Sequence, residues 1–122
     1  MLKMIAVGLG GFIGAVCRYL IGLIPMHERY SFPIKTFGIN VLGCIAIGAI
    51  TVWASKNSSL NPYVLLFLKV GLCGGFTTFS TFALETVDML KNGNVLMAFI
   101  YVLGSVLAGV GVIFAVEYFT MK

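Results

Sequence analysis

The stretch GLCGGFTTFSTFALE, residues 71–85, packs Thr77, Thr78, Ser80 and Thr81 around Phe79 and Phe82, directly after the pair Gly74-Gly75. So many hydroxyls do not suit a lipid-facing helix, and so many phenyl rings do not suit a loop in water. The rest of the chain decides which solvent is in question. Of 122 residues, 60% are hydrophobic and 10% charged, with a mean hydropathy of +1.06. Soluble domains carry about 25% charged residues, so the composition is that of a membrane protein.

Residues 36–55 and 95–116 contain no charge at all, and about 20 apolar residues suffice to cross a bilayer. Residues 4–25 hold one charge, Arg18, and residues 63–84 hold one, Lys69. The expected architecture is an all-α membrane protein with four spans, 4–25, 36–55, 63–91 and 95–119, forming a single transmembrane domain over 1–122. The first span is too long for a cleaved signal peptide and lacks a small-residue cleavage site. Cys17, Cys44 and Cys73 all fall within spans and read as small packing residues, without metal-ligand spacing. His27 reads as a solvated loop residue. The formal net charge of +4 reflects basic residues flanking spans, not a nucleic-acid surface.

Four spans place both termini on one side. That side carries Lys3, Lys56 and Lys122, and the other carries Arg29, Lys35 and Lys91. Such a balance gives the positive-inside rule nothing to act on. Either other features fix the orientation, or the chain inserts both ways and pairs as an antiparallel, dual-topology homodimer; the evenness favours the second. Four helices also leave little interior for a hydrated path, so transport calls for an oligomer. Gly10-x-x-x-Gly14, Gly71-x-x-x-Gly75 and Gly104-x-x-x-Ala108 provide close-approach faces, within a subunit or between subunits.

Polar side chains inside hydrocarbon cost free energy unless partnered, so they map function. Arg18 either snorkels to the interface or stands as a vestibule charge; for Lys69, nearer its helix start, snorkelling is the better reading. Asn40 offers two donors and an acceptor in a charge-free span. Tyr101 and Ser105 share a face at i and i+4. Singly each reads as structural; together they form a polar track. The third segment, 63–91, would be about 43 Å long as one helix, beyond a hydrocarbon core of about 30 Å. Gly74-Gly75 marks a break near 74–78, tolerated at membrane depth only where protein or water covers it. Freed carbonyls there suit a cation and half-helix N-termini suit an anion. Phe79 and Phe82 face one way, and phenyl edges are electropositive. Glu85 and Asp88 come late in the segment and no acid lies mid-span, which argues against a carboxylate-lined cation path.

These residues resemble the Fluc, or CrcB, fluoride channels over the whole chain. The resemblance is strongest in GLCGGFTTFSTFALE, with support from GGFIGAVCRY around Arg18 and TFGINVLG around Asn40. It implies an antiparallel dual-topology homodimer in a prokaryotic inner membrane, passively exporting fluoride through two pores lined by both subunits. It also implies that Asn40, Phe79, Phe82, Ser80, Thr81, Tyr101 and Ser105 line the pore and that Arg18 stands near the vestibule. Gly74 and Thr77 carbonyls from each subunit would hold one structural Na⁺. One departure is Lys35-Thr36, where many members read Gly-Thr. A small multidrug-type exporter would need an acid in the first span, which has none. A non-transporting membrane subunit would leave the hydroxyl–phenyl cluster unexplained. No nucleophile–base set, metal cluster or phosphate loop points to an enzyme.

Overall fold

The computed structural model describes residues 1–26 and 32–122; the expectations for His27 and Arg29 lie outside them. Helix α1 runs Leu2–Gly22 and α2 runs Ile34–Lys56. The third segment opens as α-helix over Pro62–Leu65, widens to a π-helix over Leu66–Cys73, and tightens to one turn over Gly74–Phe76. These three parts together are α3. After two extended residues come α4, Phe79–Lys91, and α5, Val95–Thr120. With α3 and α4 taken as one interrupted span, four helical segments are long and apolar enough to cross a membrane. Among the described residues there is no strand.

Local chemistry sets the ends. Pro62 opens α3 at its first helical position, where its missing N–H costs nothing, and Asn61 accepts the Tyr63 N–H at 2.9 Å. Gly93, at φ 80°, ends α4 in the left-handed conformation, with the Asn94 N–H on the Met89 carbonyl at 2.9 Å. Lys35 lies in the first turn of α2, and its ammonium donates to the Gly22 carbonyl at the end of α1, 3.0 Å away. At the other end of α2, Lys56 donates to the Thr120 carbonyl at the end of α5. Both cations meet the negative ends of helix dipoles, so the helix that joins the two membrane faces caps a neighbour at each.

The outer surface is apolar, with Phe12, Leu96, Leu107 and Phe114 all exposed, as suits a hydrocarbon solvent. In that solvent helices associate by close packing rather than by expelling water. The tightest seam is α1 against α3, where the two expected glycine pairs face each other. A Cβ on Gly71 would stand 2.6 Å from the Val7 carbonyl oxygen, and one on Gly14 would stand 2.7 Å from the Phe76 nitrogen. Added carbons at Gly10 and Gly75 would collide with the carbonyls of Phe67 and Gly11. Gly104, by contrast, faces open space within the subunit. Helix α2 packs along α5, and α4 leans on α5 through Met89, Ala98 and Tyr101.

The break falls on Thr77 (φ −80°, ψ 160°) and Thr78 (φ −149°, ψ 116°), not on the glycine pair. Gly74 is helical, at φ −63° and ψ −39°. The glycines admit α1, and the extended residues follow them.

Replacing Gly14 with Ala is expected to lower stability by about 1–3 kcal/mol through overpacking against backbone that has nowhere to go. Gly8→Ala, with nothing within 4 Å of the added carbon, is expected to be neutral or stabilising. Thermal unfolding of the two purified variants in one detergent measures the contrast.

Candidate functional site

Where α3 stops, the polypeptide must leave the helix without abandoning its polar groups to hydrocarbon. Asn40, on α2, solves this for Thr78. Its Oδ1 accepts the Thr78 N–H at 2.9 Å, and its Nδ2 donates to the Thr78 carbonyl at 3.2 Å. One side-chain amide thus pairs with both backbone groups of one residue, as a neighbouring strand would. Thr77 donates its N–H and its hydroxyl to the Cys73 carbonyl, at 3.0 and 2.9 Å. Its methyl fills the space that a side chain on Gly43 would occupy.

Thr78 is also the N-cap of α4. Its hydroxyl accepts the Thr81 N–H at 3.2 Å and donates to the Thr81 hydroxyl at 3.0 Å. The Ser80 Oγ lies 3.5 Å from the same oxygen. These bonds redirect two donors that a continuous helix would have aimed elsewhere. The Thr78 N–H, which would have met the Gly74 carbonyl, goes to Asn40, and the Thr81 N–H, which would have met the Thr77 carbonyl, goes to Thr78.

The aromatic rings form a chain behind the break. Phe79 and Phe82 stand 5.8 Å apart, Phe82 and Tyr101 5.0 Å, and Tyr101 and Phe32 5.4 Å at a near-perpendicular 77°. Phe79 is 80% exposed, whereas Tyr101 has no exposure at all. The Tyr101 hydroxyl donates to the Glu85 Oε2 at 2.6 Å, and the Thr36 hydroxyl donates to the Glu85 Oε1 at 2.6 Å. Glu85 therefore faces the helix packing, with two hydroxyls holding its carboxylate. Sequence reasoning placed it in a polar turn at the end of the segment. Its tell was the i+3 step from Phe82, which puts both on one side of α4.

A cavity of about 440 Å³ opens beside the break. It brings together Asn40, Gly74, Thr77, Phe79, Phe82 and Ser105 from the expected site, and adds Lys69 and Thr78. Ser80, Thr81, Tyr101 and Arg18 do not line it. Ser105 has its hydroxyl oxygen buried and without a hydrogen-bond partner. Arg18 turns inward, its Nε donating to the Gly75 carbonyl at 3.2 Å, so it ties α1 to the last turn of α3. Lys69, for which the sequence favours snorkelling, is half-buried and lines the cavity.

Four apolar spans, one of them broken beside a cavity that carries a few polar groups, define a multi-pass membrane protein. Residues 5–116 match the family described as CrcB-like protein, Camphor Resistance (CrcB), and the chain belongs to that family. It is 42% identical to the fluoride-specific ion channel FluC of Chlorobaculum tepidum over 94% of this chain and 91% of the relative. Identity is 42% to the protein of the same name from Phocaeicola vulgatus, covering 90% of this chain and 91% of the relative. The corresponding figures for Flavobacterium psychrophilum are 41%, 84% and 84%. All three relatives are named as ion channels, none as an enzyme.

Asn40→Leu is expected to leave both backbone groups of Thr78 without their side-chain partner, at a cost of up to about 1–3 kcal/mol for each part-buried group. Hydrogen exchange over residues 77–81 should accelerate in that variant while exchange in α1 stays slow.

Proposed function

We propose that the chain is a fluoride channel of the inner membrane of a prokaryote, working as an antiparallel homodimer with two pores. The observation that carries this reading is Ser105, whose hydroxyl is buried and unpartnered and which lines the same cavity as Asn40 and the Phe79–Phe82 pair. The names of the relatives supply the ion.

Fluoride is small and strongly hydrated, so a pathway must replace its water donors nearly one for one. Ser105 has a hydroxyl to give, and Asn40 keeps one amide hydrogen beyond its bond to Thr78. The first turn of α4 presents backbone N–H groups and the positive end of a helix dipole. Ser80 and Thr81 sit in that turn, and ring edges of Phe79 and Phe82 contribute positive electrostatic potential. Tyr101 positions the Glu85 carboxyl through its hydroxyl, and Arg18 adds positive charge near the vestibule. A larger halide would be rejected by width.

Three features support the dimer. Basic residues are balanced across the two faces, Phe79 is 80% exposed in the single chain, and the cavity is open on one side. An antiparallel partner would cover that side and repeat it. The redirected N–H groups at the break leave the Gly74 and Thr77 carbonyls without their helical donors, and uncharged oxygens of this kind fit a hard cation. In the proposed dimer these carbonyls, from both subunits, hold one structural Na⁺ that supplies positive charge at the centre.

Purified protein in liposomes is expected to release fluoride rapidly in the presence of a potassium ionophore, and to retain chloride. Phe79→Ile and Phe82→Ile should each abolish the flux while leaving the size-exclusion profile of a dimer. Full fluoride flux in both variants overturns the pore assignment.

A further inference from the structure

We infer that Lys69 is an anion-concentrating residue of the ion pathway, acting as a fixed positive charge in the cavity that leads to Phe79 and Phe82. The inference rests on the channel reading and extends it to a residue with no place in the family resemblance.

A lysine within a membrane-spanning helix costs about 2.5–3.5 kcal/mol at the centre on insertion scales, which makes its position informative. Lys69 lies seven residues after Pro62, about 10 Å along the helix. It lines the cavity together with Cys73, also on α3, and Thr77, just past the end of α3. The π-helical widening over Leu66–Cys73 contains it.

The charge pattern gives the position its meaning. Lys69 is the only charged side chain among the described residues that line this cavity. Among the described residues, the acids lie elsewhere. Glu85 is held by Thr36 and Tyr101, while Asp88 sits near the end of α4 and Glu117 near the end of α5. No hydrogen bond or ion pair engages the Lys69 ammonium among the described residues. By contrast, Lys35 and Lys56 are both committed to helix carbonyls.

A single-sign charge between low-dielectric walls focuses its field into the cavity and raises the local concentration of the opposite ion. The remaining polar lining, Asn40, Thr77, Thr78 and Ser105, is neutral and short, so it coordinates an ion only after arrival. Lys69 therefore governs arrival, and Ser105 with the rings governs passage. A lysine that merely snorkelled would leave the concentration dependence of flux untouched.

The test is fluoride efflux from liposomes at low and high fluoride, comparing wild type with Lys69→Gln, Lys69→Met and Lys69→Arg. Both neutral variants are expected to lose roughly tenfold of the flux at low fluoride and to approach wild type at high fluoride; Lys69→Arg should stay within about twofold throughout. Raising the ionic strength with an impermeant salt should narrow the gap between wild type and Lys69→Gln, since screening acts on the charge. Neutral variants that match wild type at every concentration overturn the inference and leave the channel reading intact. So does a deficit that salt does not change, and so does failure of both neutral variants to assemble while Lys69→Arg conducts, which would make the charge structural. Absence of flux from well-assembled wild-type protein overturns the channel reading itself, and the inference with it.

Discussion

The pairing of the Asn40 amide with both backbone groups of Thr78 is the contact on which the rest of the arrangement depends. A helix that stops inside hydrocarbon exposes peptide groups whose desolvation costs several kcal/mol unless they find partners. One residue on a neighbouring helix supplies both partners for Thr78. With Thr78 held extended, its hydroxyl is free to cap α4, and α4 starts with Phe79 and Phe82 beside the cavity. The same bond diverts the donor that would have covered the Gly74 carbonyl. The break and the freed Gly74 carbonyl thus follow from Asn40, and the cap and the freed Thr77 carbonyl from the Thr78 hydroxyl that it holds in place. The glycine seam between α1 and α3 has a supporting part, since it fixes the end of α3 against which Asn40 must be registered.

Charge is handled in two different ways. Glu85 is an acid in a membrane-spanning segment, and it is held by hydroxyls rather than by a cation. Thr36 and Tyr101 give both oxygens of the Glu85 side chain a hydrogen-bond partner without adding positive charge beside it. The lysines at both ends of α2 are spent on helix carbonyls. They contribute to the even balance of basic residues and also serve the packing of one subunit. Charge symmetry and internal stability therefore draw on the same side chains.

Much of this was legible in the sequence, and the limits have physical causes. The four spans follow from hydropathy and length, which are local properties, and the conflict of hydroxyls with phenyl rings marked the segment that breaks. Its exact position was not legible, because glycine lowers helix propensity but does not choose an alternative partner for the backbone. Gly74-Gly75 stays helical against α1, and the extended residues are chosen by Asn40, 38 positions away in sequence. Tyr101 and Ser105 were rightly placed on one face but not in one environment: the first reaches Glu85, the second reaches the cavity and finds no partner. That Lys69 lines the cavity was not legible, because depth along a helix says nothing of which side a cavity lies on.

What the single chain leaves undone points to its assembly. An unpartnered buried hydroxyl, a phenylalanine 80% exposed at a helix start, and carbonyls stripped of their helical donors all adjoin one break. In lipid none of these has water to turn to, yet close packing has been spent freely elsewhere, on the α1–α3 seam. A bundle able to pack so tightly would be expected to close this gap too if its role were only to be stable. An open, donor-bearing cleft facing away from the tight seam makes sense where a second copy covers it and an ion shares it. On the proposed antiparallel pairing, the two-fold axis brings the two breaks together. In that proposal the carbonyls would share a cation, and each cavity would remain as a separate path lined by both chains.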